Sequence, residues 1–168
     1  MIIIKNQQEQ EIAQNFDSEK YFFMPYKNNN ANSKPNNRYV NRTLVRTTVF
    51  QLLYQEEMNS GSAEEWGENF LNESLPDHEE IVRFARRLIA GIREKKAEID
   101  EKIAAQAKNW TIDRISATDK NILRLALYEL LYAKTPKAIV ISEAIKLADK
   151  FGSENSSSFV NGILDKFS

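Results

Sequence analysis

The chain of 168 residues contains no cysteine, a single histidine, five glycines and four prolines. Without cysteine it can form neither disulfides nor thiolate metal sites. One histidine, His78, cannot supply the two Glu-x-x-His pairs of a carboxylate-bridged metal bundle. The sequence also has no glycine-rich phosphate loop and no G-x-S-x-G elbow. We therefore expect no enzyme activity, no metal and no cofactor.

Long hydrophobic runs are missing too. No apolar stretch approaches the roughly 18 residues of a membrane span. The apolar start, residues 1–4, is too short for the core of a signal peptide and is followed by polar residues. These features predict a cytoplasmic protein without membrane contact.

Sustained two-residue alternation is absent, whereas helix formers are abundant, which indicates an all-α fold. The most apolar helical pattern covers residues 116–131, SATDKNILRLALYELL. Its apolar residues cover more than half of the circumference of a helix, so we expect this helix to lie in the middle of a bundle. Ser116 or Thr118 can cap its start, and Pro136 pushes Thr135 out of the helical region beyond its end.

The chain divides into two parts by composition. Residues 1–37 are polar, include the run NNNANSKPNN, and are predicted to be a disordered N-terminal extension that carries one aromatic cluster, YFFMPY. Residues 38–168 form the predicted helical domain. Its helices are expected at about residues 39–57, 63–72, 77–107, 116–131, 137–150 and 155–167.

Capping signals support these helix ends. Ser62 with Glu65, and Asp77 with Glu80, have the spacing of capping boxes. Gly152 follows the helix that ends near residue 150, so we expect it in the left-handed conformation common at that position.

Charge is distributed unevenly along the chain, although the net charge is only −1. Residues 55–80 hold nine acids and no Lys or Arg, whereas residues 38–54 hold Arg38, Arg42 and Arg46 and no acid. These arginines stand four apart on one helix face. The face could follow a phosphate backbone, or it could simply be solvated.

A second candidate binding feature is the segment FGSENSSSFVNG, residues 151–162. It joins a helix end to a new helix start, where free backbone N–H groups can bind an anion. Phe151 and Phe159 could offer their rings to unstacked bases. Alternatively, the serines only cap the helix and the phenylalanines belong to the core.

From residue 42 onwards the chain resembles the bacterial transcription antitermination factors of the NusB family. The matching blocks occur in the family's order: Arg46 followed by QLLYQ (51–55), FARRLIAGI (84–92), NILRLALYEL (121–130), ISEAIKLADKFGSENS (141–156) and FVNGILDK (159–166). The resemblance implies seven helices in two perpendicular three-helix subunits and no catalytic activity. It also implies joint binding, with the ribosomal protein NusE, of boxA-like nascent RNA in the elongation complex, in support of ribosomal RNA synthesis.

By position, the resemblance assigns the RNA surface to the first helix and to the turn before the last one. Together with the arginine pattern, the candidate RNA-binding residues are Arg38, Arg42, Arg46, Phe151, Gly152, Ser153, Asn155, Ser156 and Phe159. Tyr54 and Asp119 would face NusE. We expect a monomer or weak homodimer. The alternative is a helical module that binds only proteins and has lost RNA contact.

Overall fold

The computed structural model describes residues 38–59, 64–107 and 111–167. Within these ranges there are six α-helices and one single-turn 3-10 helix, and no strand. The α-helices are α1 Arg38–Met58, α2 Glu64–Ser74, α3 Glu79–Gln106, α4 Ala117–Leu131, α5 Lys137–Phe151 and α6 Ser156–Leu164, and the 3-10 helix is Ile112–Arg114. The predicted all-α fold is confirmed, with six α-helices in the described residues where about seven helices were expected. The extension 1–37 and Ser62 lie outside the described residues.

Helix α4 is the centre of the bundle. Helices α1, α2 and α3 contact one another, α4, α5 and α6 form a second group, and α4 also contacts α1 and α3 of the first group. Leu123 and Leu127 of α4 have no exposed surface, and neither has Ile103 of α3. The apolar circumference of α4 is therefore explained by contacts on several sides, as its sequence predicts.

The starts of α3 and α4 differ in their capping. Ser116 caps α4, because its hydroxyl accepts a hydrogen bond from the Asp119 N–H at 3.0 Å. The capping box predicted at Asp77 is wrong: His78 is the residue before α3, and it makes no side-chain cap hydrogen bond within the described structure. Glu79 and Glu80 occupy the first turn of α3 instead, where the helix dipole favours acids.

The end of α4 is set by Lys134 rather than by the proline. Lys134 has a φ of 54°, the left-handed conformation that often follows a helix, and the Thr135 N–H donates to the Glu129 carbonyl at 2.9 Å. Pro136 instead stands immediately before α5. The proline expected to end one helix therefore begins the next.

Candidate nucleic-acid interface

The three arginines of α1 do not share one exposed face. The side chain of Arg38 lies outside the described residues. Arg42 is exposed, with its guanidinium carbon 5.5 Å from the centroid of the Phe84 ring in α3. This cation–π geometry places the guanidinium itself against α3, while the residue stays exposed.

Arg46 is turned into the protein, and the expectation that it stands exposed beside Arg42 is wrong. Only 4% of the residue is exposed. Its Nε and one terminal nitrogen each lie 2.7 Å from a Glu129 carboxylate oxygen, and its other terminal nitrogen lies 3.8 Å from Glu143. Burial alone would lower the pKa of Arg46, but the two carboxylates outweigh it and raise the pKa. Arg46 forms a buried bidentate ion pair with Glu129 and lies near Glu143, so it joins α1 to α4 and α5.

The turn between α5 and α6 is compact, and the left-handed conformation predicted for Gly152 is wrong. Gly152 has φ −89° and ψ −177°, which any residue can adopt. A Cβ there would lie 2.4 Å from the Ser156 side chain and 2.6 Å from the Ala148 carbonyl oxygen. Glycine is therefore required by the close approach of α6, not by its backbone angles.

The serines of this turn bond within it. Ser156 is 2% exposed, and its hydroxyl oxygen accepts from the Ser153 N–H at 2.8 Å. The two hydroxyl oxygens of Ser153 and Ser156 are 3.2 Å apart. Asn155 precedes α6, is exposed and makes no side-chain cap hydrogen bond within the described structure. The turn thus presents Ser153 and Asn155 at the surface while Ser156 fastens it from inside.

Phe151 and Phe159 are both half-buried and pack against the core. The ring centroid of Phe151 lies 4.9 Å from that of Phe50 in α1, and the Lys150 ammonium lies 5.0 Å from the Phe151 centroid. Each phenylalanine therefore combines a packing role with a partly exposed ring. Through Phe50, the start of the turn is brought against α1.

A cleft of about 140 Å³ separates α1 from α5 beside this turn. Thr43 and Thr47 line it from α1, and Lys146 and Lys150 line it from α5. Thr43 and Thr47 of α1 and the end of α5 at the α5–α6 turn thus border one region, whereas the Arg42 side chain packs against α3.

Asp119 lies in the first turn of α4, beside the α5–α6 turn. Burial raises the pKa of Asp119 despite interactions with Ser156 and Ser116 that lower it. Its Oδ1 atom is buried and accepts no hydrogen bond from any described residue. Tyr54 of α1 is half-buried, and burial together with the nearby Glu57 raises its pKa. Asp119 thus holds a carboxylate that α4 does not fully satisfy.

A polar cluster at the other end of α1 was missed from the sequence. Arg124 is 5% exposed and binds both carboxylate oxygens of Asp100 in α3 at 2.7 Å, and it also donates to Glu57 at 2.6 Å. Lys120 and Asn121 reach the same Glu57 carboxylate at 2.5 and 2.8 Å. Burial alone would raise the pKa of Glu57, but these partners outweigh it and lower the pKa. An arginine within an apolar helical run is the signal that could have revealed this cluster.

Within the described ranges, no group of three or more His, Cys, Asp or Glu side chains could hold a metal ion. None of the helices described is both long enough and apolar enough to cross a bilayer.

These features define an all-helical domain organised around one central helix, with its polar elements gathered along α1 and at the α5–α6 turn. The model of the NusB family matches residues 43–168. Transcription antitermination protein NusB of Geobacter sulfurreducens is 43% identical over 126 residues, which cover 74% of this chain and 91% of that protein. The corresponding protein of Anaeromyxobacter dehalogenans strain 2CP-1 is 39% identical over 125 residues, 74% of this chain and 88% of the relative. The chain belongs to the NusB family of transcription antitermination proteins.

Solved structures agree with this assignment. T. maritima NusB has a TM-score of 0.69 and 41% identity, and the match covers 74% of this chain and 88% of that one. A second match is a crystal structure of the antitermination factors NusB and NusE in complex with dsRNA, with a TM-score of 0.68, 26% identity, and coverage of 76% and 96%. The resemblance found in the sequence blocks is confirmed.

Proposed function

We propose that this protein binds single-stranded boxA-like RNA together with NusE and acts in transcription antitermination, supporting ribosomal RNA synthesis as part of the elongation complex. Its role is binding rather than catalysis, it works in the cytoplasm, and it is a monomer or weak homodimer. The observation that carries the proposal is the exposed Arg42 on α1 together with the α5–α6 turn, which Phe151 packs against Phe50 of the same helix, in a chain of the NusB family. The related structure of NusB and NusE with dsRNA supports the choice of partners.

The RNA surface is centred on Arg42 and the turn. Arg42 supplies an exposed positive charge, and Ser153 and Asn155 supply polar groups at the start of α6. The partly exposed rings of Phe151 and Phe159 supply faces for base stacking. Because the net charge is −1, long-range attraction is weak and these local contacts must provide the affinity.

Asp119 and Tyr54 are the proposed NusE contacts. The Asp119 Oδ1 atom is buried yet accepts no hydrogen bond from the described residues, which leaves it able to accept one from a partner. An unsatisfied buried acceptor costs roughly 1–3 kcal/mol, and a partner donor would recover part of that. Asp119 interacts with Ser156 of the α5–α6 turn, which supports a NusE contact that adjoins the proposed RNA surface.

A gel-shift titration with a boxA-like RNA, with and without NusE, tests the proposal. We expect weak binding by the protein alone and much tighter binding with NusE. Arg42→Ala should lower the affinity and reduce the salt slope by about 0.7, the value of one phosphate contact on a single strand. Lys96→Ala is the matched control, because Lys96 lies on α3 about 18 Å along the helix from Phe84, the residue that Arg42 contacts.

The partner surface is tested with Asp119→Lys. A folded Asp119→Lys protein should lose NusE in a pull-down while keeping the helical circular-dichroism spectrum of the wild type. Retained NusE would contradict the placement at Asp119. NusE binding by the wild type without any RNA binding, alone or jointly, would favour the alternative of a module that binds only proteins.

A further inference from the structure

The cleft between α1 and α5 has no part in the contacts proposed above. Its volume of about 140 Å³ equals roughly ten water-sized positions, which is ample for a phosphate group. It is lined by Thr43, Thr47, Glu143, Lys146, Leu147 and Lys150. The Thr47 hydroxyl donates to the Thr43 carbonyl at 3.1 Å. Because the Thr47 hydroxyl is used in this bond, the charged hydrogen-bond donors that line the cleft are Lys146 and Lys150 of α5.

The charges around the cleft favour an anion. Glu143 is the one acid among its lining residues, and its carboxylate already lies between two cations, with Lys146 at 2.6 Å and Arg46 at 3.8 Å. The charges of Arg46 and Glu129, which lie beneath the residues that line the cleft, neutralise each other. Two lysines against one carboxylate leave the lining with a charge of +1.

Both ammonium groups can still bind a ligand. The Lys146 side chain is 58% exposed, and only one of its three N–H donors is needed for Glu143. Lys150 is exposed and its ammonium lies over the Phe151 ring, at the entrance to the α5–α6 turn. Lys150 therefore links the cleft to the ring proposed for base stacking. The nearby acid Asp149 is held by the Ser157 hydroxyl of α6 and does not line the cleft.

We infer that this cleft receives one stretch of the RNA backbone, with Lys146 and Lys150 each contacting a phosphate. The strand then runs along the groove between α1 and α5 and leaves it over Phe151, where its next base reaches the turn. This inference rests on the proposed RNA function and extends it. Lysine suits the task as a compact point charge that needs no fixed geometry around the phosphate.

The salt dependence of RNA binding tests the inference. Lys146→Gln/Lys150→Gln should reduce the salt slope for a boxA-like single strand by about 1.4, two contacts of about 0.7 each. The gain in affinity between 1 M and 0.1 M salt should then be roughly 25-fold smaller than in the wild type. Lys96→Gln removes a lysine charge from α3 and should leave the slope unchanged. Lys146→Arg/Lys150→Arg should retain the wild-type slope.

A second variant leaves both lysines in place. Thr47→Glu puts a carboxylate into the cleft and should weaken RNA binding, whereas Thr111→Glu, exposed before the 3-10 helix, should not. A thermal melt of each variant confirms that it is folded. If the wild type binds RNA and the double lysine variant keeps the full slope, the cleft inference is overturned while the proposed function stands. If the wild type binds no RNA even with NusE, both fail together.

Discussion

Replacing Arg46 by methionine should lower the free energy of unfolding by about 3–5 kcal/mol, because the change leaves the Glu129 carboxylate buried without its cation. Methionine keeps most of the apolar stem of arginine, so the loss of packing is small. The side chains of Arg46 and Glu129 are only 5% and 2% exposed, and two hydrogen bonds of 2.7 Å join them. After the substitution, Thr135 remains a donor to Glu129 at 3.2 Å, and it reaches only one of the two oxygens.

Compared with the 5–15 kcal/mol that stabilise a typical domain, this loss is large. It corresponds to a fall in the melting temperature on the order of 10–20 °C for a domain of this size. The double variant Arg46→Met/Glu129→Leu removes both charges and should regain most of the stability, with a coupling energy above about 2 kcal/mol. Urea denaturation of the wild type, both single variants and the double variant completes the cycle.

The same variants separate a structural role of Arg46 from a role in RNA binding. With the guanidinium turned inward, folded Arg46→Met protein should keep the salt slope of the wild type, unlike Arg42→Ala. A variant that melts like the wild type but has a reduced slope would refute the buried placement. So would a double variant whose loss equals the sum of the two single losses.

Three further predictions concern the turn and the two perturbed carboxylates. Gly152→Ala should destabilise the protein by about 1–3 kcal/mol, because the new Cβ would clash with Ser156 and Ala148. Gly162→Ala is the control, because no described atom lies within 4 Å of a Cβ there, and it should stabilise α6 by up to about 1 kcal/mol. Thermal melts of both variants test these two expectations. The folded state lowers the pKa of Glu57, so Glu57 stabilises the fold above its unfolded pKa of about 4.3, and this stabilisation is lost as the pH falls through the folded pKa. Glu57→Gln should therefore be less stable than the wild type at pH 7 and approach its stability in acid. Equal stability at both pH values would contradict this. The pKa of Asp119 shifts in the opposite direction: it is raised in the folded state, so Asp119 favours folding fully only below its unfolded pKa of about 3.9, and this effect is lost as the pH rises. Asp119→Asn should therefore be more stable than the wild type at pH 7. In urea titrations the difference in stability should shrink towards pH 4.

The helices were predictable because their apolar periodicity reflects burial directly. The run that contains Leu123 and Leu127 predicts a central helix, and both residues are fully buried. The Ser116 cap was predictable because its partner lies three residues away. Local signals of this kind depend only on neighbouring residues.

The placement of Arg46 could not be predicted from spacing, because a solvated arginine and a paired buried one look alike on a helix. Its partner Glu129 lies 83 residues further along the chain. Gly152 presents a similar ambiguity, since a glycine after a helix fits either a left-handed turn or a close contact. Only the position of Ser156 decides between them.

The pairing of α1 with α4 also has a consequence for how the protein is made. Arg46–Glu129 and Glu57–Arg124 join residues 83 and 67 positions apart, whereas α4, α5 and α6 follow one another closely in sequence. The C-terminal three helices can therefore assemble through local contacts, whereas the ion pairs between α1 and α4 can form only after α4 has left the ribosome. At roughly 5–20 residues per second, Arg46 waits about 4–17 s for Glu129, although α1 can already pack against α3. During that interval the α4-facing side of α1 is open to chaperones that hold nascent chains.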